Sequence, residues 1–286
     1  QRLLDVMQGA SVAPSLRYGN WRGKLAAGTF TEGATWTTSA QVAEYVVFEG
    51  EVDGVGIPTT VIDGSASAET AGLYFGEGPS RVSVKNIQSN NFRANSVASG
   101  FVFANKGIAK VLTHNVHATN NLWAGVNADA VGQLLMTGGT LTANTNYNLR
   151  VRGGVAISIG YNGHLAGGRV TLSNNPTAVQ VRDGCTGHFD YVDIINCNTG
   201  VWTTNVSRVT LNECTLTNLN VGIDAGQGST FTYTATTFDS VNTRYSMSGN
   251  ASNDTDAVGQ ALEYDDFFNR YSTGLKAWSP TLQPVA

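Results

Sequence analysis

Asp193 and Glu213 are the two carboxylates whose types and spacing best suit cooperative chemistry. Cleavage of a glycosidic bond generally uses a carboxyl pair: one protonates the leaving oxygen while the other activates water or attacks the sugar. Asp193 stands three residues before Asn196, and Glu213 stands five before Asn218. Both offsets are odd, whereas the even offsets hold the apolar Val192, Ile194, Cys214 and Leu216. In extended chain that alternation sends both acids to the outer face. On neighbouring strands about 4.8 Å apart, with about 6.6 Å between residues i and i+2, the two backbones lie roughly 8 Å from each other. Their carboxyl groups can then reach the roughly 6.5 to 9.5 Å separation of an inverting glycoside hydrolase. Tyr191 and Arg169 fall in the column of Glu213, and Asp190 lies near the same edge as a reserve acid. The same set also reads as a solvated face carrying an ordinary arginine–acid ladder, of small value to stability.

A second column pairs polar groups with an indole. Asn127, Arg150, Gln180, Trp202 and Asp224 each follow an inward apolar residue by one position, and Asp129, Arg152, Arg182 and Thr204 lie two further on. An outward Trp beside Arg, Gln and Asp suits sugar binding, because an indole face covers a pyranose while polar groups take its hydroxyls. Trp202, Arg182, Tyr191, Arg169 and Asp224 are therefore the candidate glycan contacts. Trp202 reads as well as a residue packed against a neighbouring subunit.

These positions depend on a repeat. A polar residue, mostly Asn, stands five positions before an apolar residue that is often preceded by Gly. The pairs are Ser96 with Phe101, Asn121 with Val126, Asn144 with Leu149, Asn174 with Val179, Asn196 with Val201, Asn218 with Ile223 and Ser240 with Tyr245. The steps between anchors are 25, 23, 30, 22, 22 and 22 residues. A second apolar strand precedes each anchor, as in Val170-Thr171-Leu172, Val192-Asp193-Ile194 and Cys214-Thr215-Leu216. A unit of this length with short alternating strands and no helix-length segment predicts one coil of an all-β, single-stranded, right-handed parallel β-helix, a solenoid. The anchor amides would stack at an inward turn and satisfy buried backbone groups there.

A sandwich or propeller would show hairpin turns, and the Asn162-Gly163 pair lies inside the 30-residue step instead. The Leu spacing of a leucine-rich solenoid is absent. That long step predicts an insertion around Ile157 to Gly168.

The expected organisation is a cap with irregular strands over 1–80, coils over 81–250, and a cap or interface segment over 251–286. Within the first part, Leu73 is expected to begin a further coil, and Val46 to Ile62 to form strands. In the last part, Asp256 to Tyr271 is expected to form a short helix. The start at Gln1 reads as the edge of a processed or excised fragment.

The chain has 286 residues, 33 of them Gly, with 13% charged and 41% hydrophobic residues. That balance suits stacked strands and tight turns better than amphipathic helices. A net charge of −4 with no basic cluster speaks against nucleic acid. No apolar run reaches the roughly 18 residues of a membrane-crossing helix. Cys185, Cys197 and Cys214 read as small core residues. His114, His117, His164 and His188 show no metal-ligand spacing, there is no Gly-x-Ser-x-Gly elbow, and no metal or cofactor is expected. Asn205-Val206-Ser207, Asn250-Ala251-Ser252 and Asn253-Asp254-Thr255 match glycosylation sequons, a match that Asn-rich repeats produce easily.

The Asn-anchored coils, the low-charge Asn/Thr/Gly composition and the tail Lys276-Ala277-Trp278-Ser279-Pro280-Thr281-Leu282 together resemble bacteriophage tailspikes and related tail-fibre receptor-binding proteins. That resemblance implies a homotrimer on the phage tail that binds bacterial surface polysaccharide, capsule or O-antigen, and in many cases depolymerises it. A non-catalytic receptor-binding or structural fibre module is one alternative, and a monomeric pectin-type polysaccharide lyase is the other. The fold is also similar to pectate lyases and polygalacturonases, but the acid cluster of the former and the paired Asp signatures of the latter are missing.

Overall fold

The computed structural model describes residues 19–31, 33–36, 43–76, 80–104, 107–160 and 168–253. Among them there is no helix: twenty-four strands join one continuous sheet, and all pairings between these strands are parallel. The strands stack in three columns, here sheets 1, 2 and 3. Thr186–Asp190, Val192–Ile195 and Thr199–Thr204 form one coil and occupy the three sheets in turn. On the next coil Arg208–Asn212 lies in sheet 1, and Thr215–Ala225 runs through sheets 2 and 3. The result is a parallel solenoid, the arrangement of a β-helix.

The apolar column predicted from the repeat is the inward column of sheet 3. Leu73, Phe101, Val126, Leu149, Val179, Val201, Ile223 and Tyr245 are successive register partners. From Leu73 to Ile223 these side chains are at most 1% exposed, each burial contributing about 1.5–3 kcal/mol. Phe48, Phe75 and Phe103 continue the core, Phe48 edge-on to Phe75 and Phe75 stacked on Phe103, each pair with centroids 5.6 Å apart. The Gly before the apolar residue has a steric cause. A Cβ on Gly125 would lie 2.8 Å from the Asn148 carbonyl oxygen, and one on Gly200 2.5 Å from that of Gly222, both on the next coil.

The asparagine anchors divide into two adjacent columns, a correction to the single ladder expected. Asn91, Asn120, Ala143, Asn174, Asn196, Asn218 and Ser240 occupy one turn position, all left-handed with φ between 52° and 62°, a conformation Asn tolerates better than most residues. Asn174, Asn196 and Asn218 face solvent there. They still form a chain: Asn218 Nδ2 donates to Asn196 Oδ1 at 2.8 Å, and Asn196 Nδ2 to Asn174 Oδ1 at 3.3 Å. The following residue points inward, and its column holds Phe92, Asn121, Asn144, Asn175, Cys197 and Leu219, all buried. Asn144 Oδ1 accepts from Asn121 N at 3.1 Å and Asn121 Nδ2 at 2.9 Å. Its own Nδ2 donates to Ala118 O at 3.2 Å and Asn148 Oδ1 at 3.0 Å. Asn-Asn pairs at 120–121 and 174–175 let the repeat slip by one residue in sequence.

The coils also extend further towards the N-terminus than the Asn pattern does. Gly19–Lys24 and Ala43–Glu49 already lie in sheet 1, and Thr60–Asp63 and Ala71–Phe75 in sheets 2 and 3. Gly64 holds the place taken by Asn91 on the next coil, and a hairpin bridged at Val52 and Pro58 lengthens this coil, so the pattern is hidden. Ile159 pairs with Phe189 and Val170 with Val192, so ten residues lie between the first members of these pairs where two lie between the second, which locates the insertion. The three cysteines are free and buried, with the Cys197 and Cys214 thiols pushed up to about 11 and about 12 by burial. The expected helix at Asp256 to Tyr271, the Lys276–Leu282 tail and Asn162-Gly163 lie outside the described residues.

The two Asn columns differ in what their loss exposes. Asn144→Ala is expected to destabilise the fold by about 2–3 kcal/mol through stranded buried backbone groups, and Asn196→Gly by only a few tenths because Gly accepts left-handed φ. Urea unfolding of both variants checks this; equal losses would contradict the assignment of the columns.

Candidate functional site

The predicted site residues fall into two surface groups and one buried position. The first group sits at the corner between sheets 1 and 2. Tyr191 and Glu213 occupy the same left-handed turn on successive coils, with φ of 52° and 49°. The Tyr191 amide reaches the Asn212 carbonyl at 3.1 Å, which fixes that stacking. Asp193 follows on the strand, paired in register with Thr215 of the coil carrying Glu213. Arg169 enters from the previous coil. Its Nε lies 2.9 and 2.8 Å from the two Asp193 oxygens, while its second terminal nitrogen donates to the Glu213 carbonyl and Thr215 Oγ1, both at 3.3 Å. The same guanidinium lies 5.9 Å from the Tyr191 ring centre.

The structure thus brings Arg169, Tyr191, Asp193 and Glu213 together, as the register arithmetic expects. The two acids are not equivalent. Both Asp193 oxygens are engaged by one arginine, whose own pKa rises chiefly through that hydrogen bond. Glu213 is exposed, and its carboxylate beside the Tyr191 phenol raises the phenol pKa above its usual value. A sugar at this corner would meet a reachable carboxylate, a phenol and a guanidinium, with Asp193 holding the guanidinium in place.

Asp190 does not join them. It is 2% exposed, accepts from Asn212 Nδ2 at 2.9 Å and lies 3.0 Å from His188 Nε2. It ends the sheet 1 strand one residue before the turn, and the backbone reversal at Tyr191 separates it from the outward edge on which numbering alone placed it.

The second group lies on the outer side of sheet 3. Asn127, Arg150, Gln180, Trp202 and Asp224 are register partners on successive coils. Trp202 and Asp224 are half-buried, and Arg182 pairs with Asp183 at 2.9 Å. Two aromatic residues that sequence reasoning missed complete this face. Trp123 lies 5.7 Å from the Arg150 guanidinium and meets the Tyr147 ring edge-on at 5.5 Å. Tyr147 OH accepts from Gln180 Nε2 at 3.2 Å. Their signal was present: each follows an Asn anchor by two or three residues at the entry to sheet 3. Trp202 and the Asp193–Glu213 corner stand on different columns of the coil, so the two groups are separate surfaces.

Among the described residues no three His, Cys, Asp or Glu side chains are grouped to hold a metal ion, and no helix is long and apolar enough to cross a membrane. No family model matches the chain, and it matches no curated protein and no solved structure.

The Tyr191–Glu213 contact has a spectroscopic readout. In a phenolate absorbance titration, the difference between the wild type and Tyr191→Phe should place Tyr191 above the usual value of about 10. Glu213→Gln should return it towards that value, since removing the carboxylate's charge makes the phenolate easier to form. An unmoved midpoint would remove Glu213 from contact with the phenol.

Proposed function

We propose that this chain is a receptor-binding protein of the phage tailspike kind, a right-handed β-helix that works as a homotrimer and binds bacterial surface polysaccharide along sheet 3. The observation that carries the reading is the outer column of Arg150, Gln180 and Trp202, with Trp123 over Arg150 and the Tyr147 hydroxyl accepting from Gln180. Aromatic faces alternating with held polar groups at a regular coil spacing of about 4.8 Å suit an extended glycan lying along the solenoid axis. The right hand follows the strong preference of strand–crossover–parallel-strand connections. Localisation to the virion and action at the bacterial surface follow from the resemblance in composition and coil pattern.

Depolymerisation is the second reading, favoured by the corner where Arg169, Tyr191, Asp193 and Glu213 meet. There Glu213 supplies the reachable acid and Asp193 the second carboxylate of a hydrolytic pair. A regular, non-catalytic fibre module is the outcome if neither surface engages sugar.

The test is incubation of the purified chain with a panel of bacterial capsular and O-antigen polysaccharides, followed by binding assays and size-exclusion chromatography of the glycans. Binding that Trp202→Ala weakens at least about tenfold is the expected result. Shortened chains would establish hydrolysis, and Asp193→Asn and Glu213→Gln should then each abolish it; activity retained in both would end that assignment. No binding across the panel would leave the fibre module.

A further inference from the structure

The charges on sheet 3 do not close. Arg150 is 7% exposed, yet its hydrogen bonds go to neutral amides: Nε to Gln180 Oε1 at 3.1 Å and a terminal nitrogen to Asn127 Oδ1 at 3.0 Å. Among the described residues no carboxylate lies within 4.0 Å of it. The two acids nearby are already taken, Asp129 by Arg152 and Asp183 by Arg182. Arg152 and Arg182 are register partners on adjacent coils, so three guanidiniums share two carboxylates. Asp224 stands beyond Trp202, at the far end of the column. Burial and then Arg152 and Arg182 disfavour the Arg150 cation, offset only in part by Asp129 and Tyr147, and a guanidinium has no usable neutral form to retreat to. The Asn127 and Gln180 amides hold its plane, and Trp123 covers it. That leaves three of the five guanidinium N–H donors held in place with no carboxylate partner among the described residues, on the side chain best suited to bind one.

We propose that sheet 3 recognises an acidic polysaccharide, with the carboxylate of a uronic-acid-type sugar on Arg150 while a neighbouring sugar lies on Trp202. Two coils separate the residues, about 10 Å, so adjoining sugars of one extended chain reach both. The inference rests on the glycan-binding reading of this face and adds the charge of the ligand.

Its test pairs each uronic-acid-containing capsular polysaccharide of a panel with its carboxyl-reduced, neutral form, and includes naturally neutral glycans. The expected result is at least about tenfold tighter binding of the acidic form. Arg150→Gln should erase that gap, and Arg150→Lys, which keeps the charge without the fork, should narrow it. Because the gap is a ratio measured within one variant, general loss of stability does not mimic it, and the Lys variant decides if the Gln variant does not fold. Equal binding of acidic and reduced forms, a gap that survives in Arg150→Gln, or binding confined to neutral glycans would overturn the acidic assignment while leaving glycan binding intact. Failure to bind any glycan would overturn both.

Discussion

Everything in this molecule depends on one coil hydrogen-bonding in register to the next. Parallel pairing at about 4.8 Å places each residue above its counterpart, so a single choice of side chain is multiplied along the axis. Inward, that produces the unbroken column from Leu73 to Ile223. At the turn it produces two parallel columns of amides, one exposed and one buried. Outward it produces polar columns that no local sequence element would create alone. A single coil buries too little surface to stand by itself, and only stacking turns it into structure.

The same constraint explains why two polar surfaces behave differently. At the corner of sheets 1 and 2 the left-handed turn throws Tyr191 and Glu213 outward, and Arg169 from the preceding coil closes on Asp193. Charge there is largely answered within the chain. On sheet 3 successive outward residues keep register from coil to coil, so Arg150 meets amides and an indole, and its nearest acids belong to other arginines. One surface is a set of completed pairs with one reachable acid; the other holds an arginine that no carboxylate of the described residues pairs with.

Periodicity was the readable part of the site. The apolar column and the membership of the outward column around Trp202 could be counted residue by residue, because parallel register preserves position. The insertion expected around Ile157 to Gly168 could be counted from the long step, and the register puts it between Ile159 and Val170. Counting failed where the backbone changes direction. Asn174 and Asn144 were aligned although one lies in the turn and the other one step past it, since both positions accept Asn. Asp190 was carried to the edge of Asp193 across a turn that reverses the alternation. Trp123 and Tyr147 were passed over because they precede the apolar residue from which the column was counted.

By itself, then, the sequence determined that the chain coils, where most coils pair and which residues face the core, because alternation and repeat length are local and one-dimensional. Which amides are buried, which carboxylates are already engaged and which arginine is left without one were decided only by the tertiary structure. Those outcomes turn on the angle at each corner and on which side chain of the next coil arrives there. Residues 22 or more positions apart in the chain meet at these points, and no spacing rule records the direction from which they come.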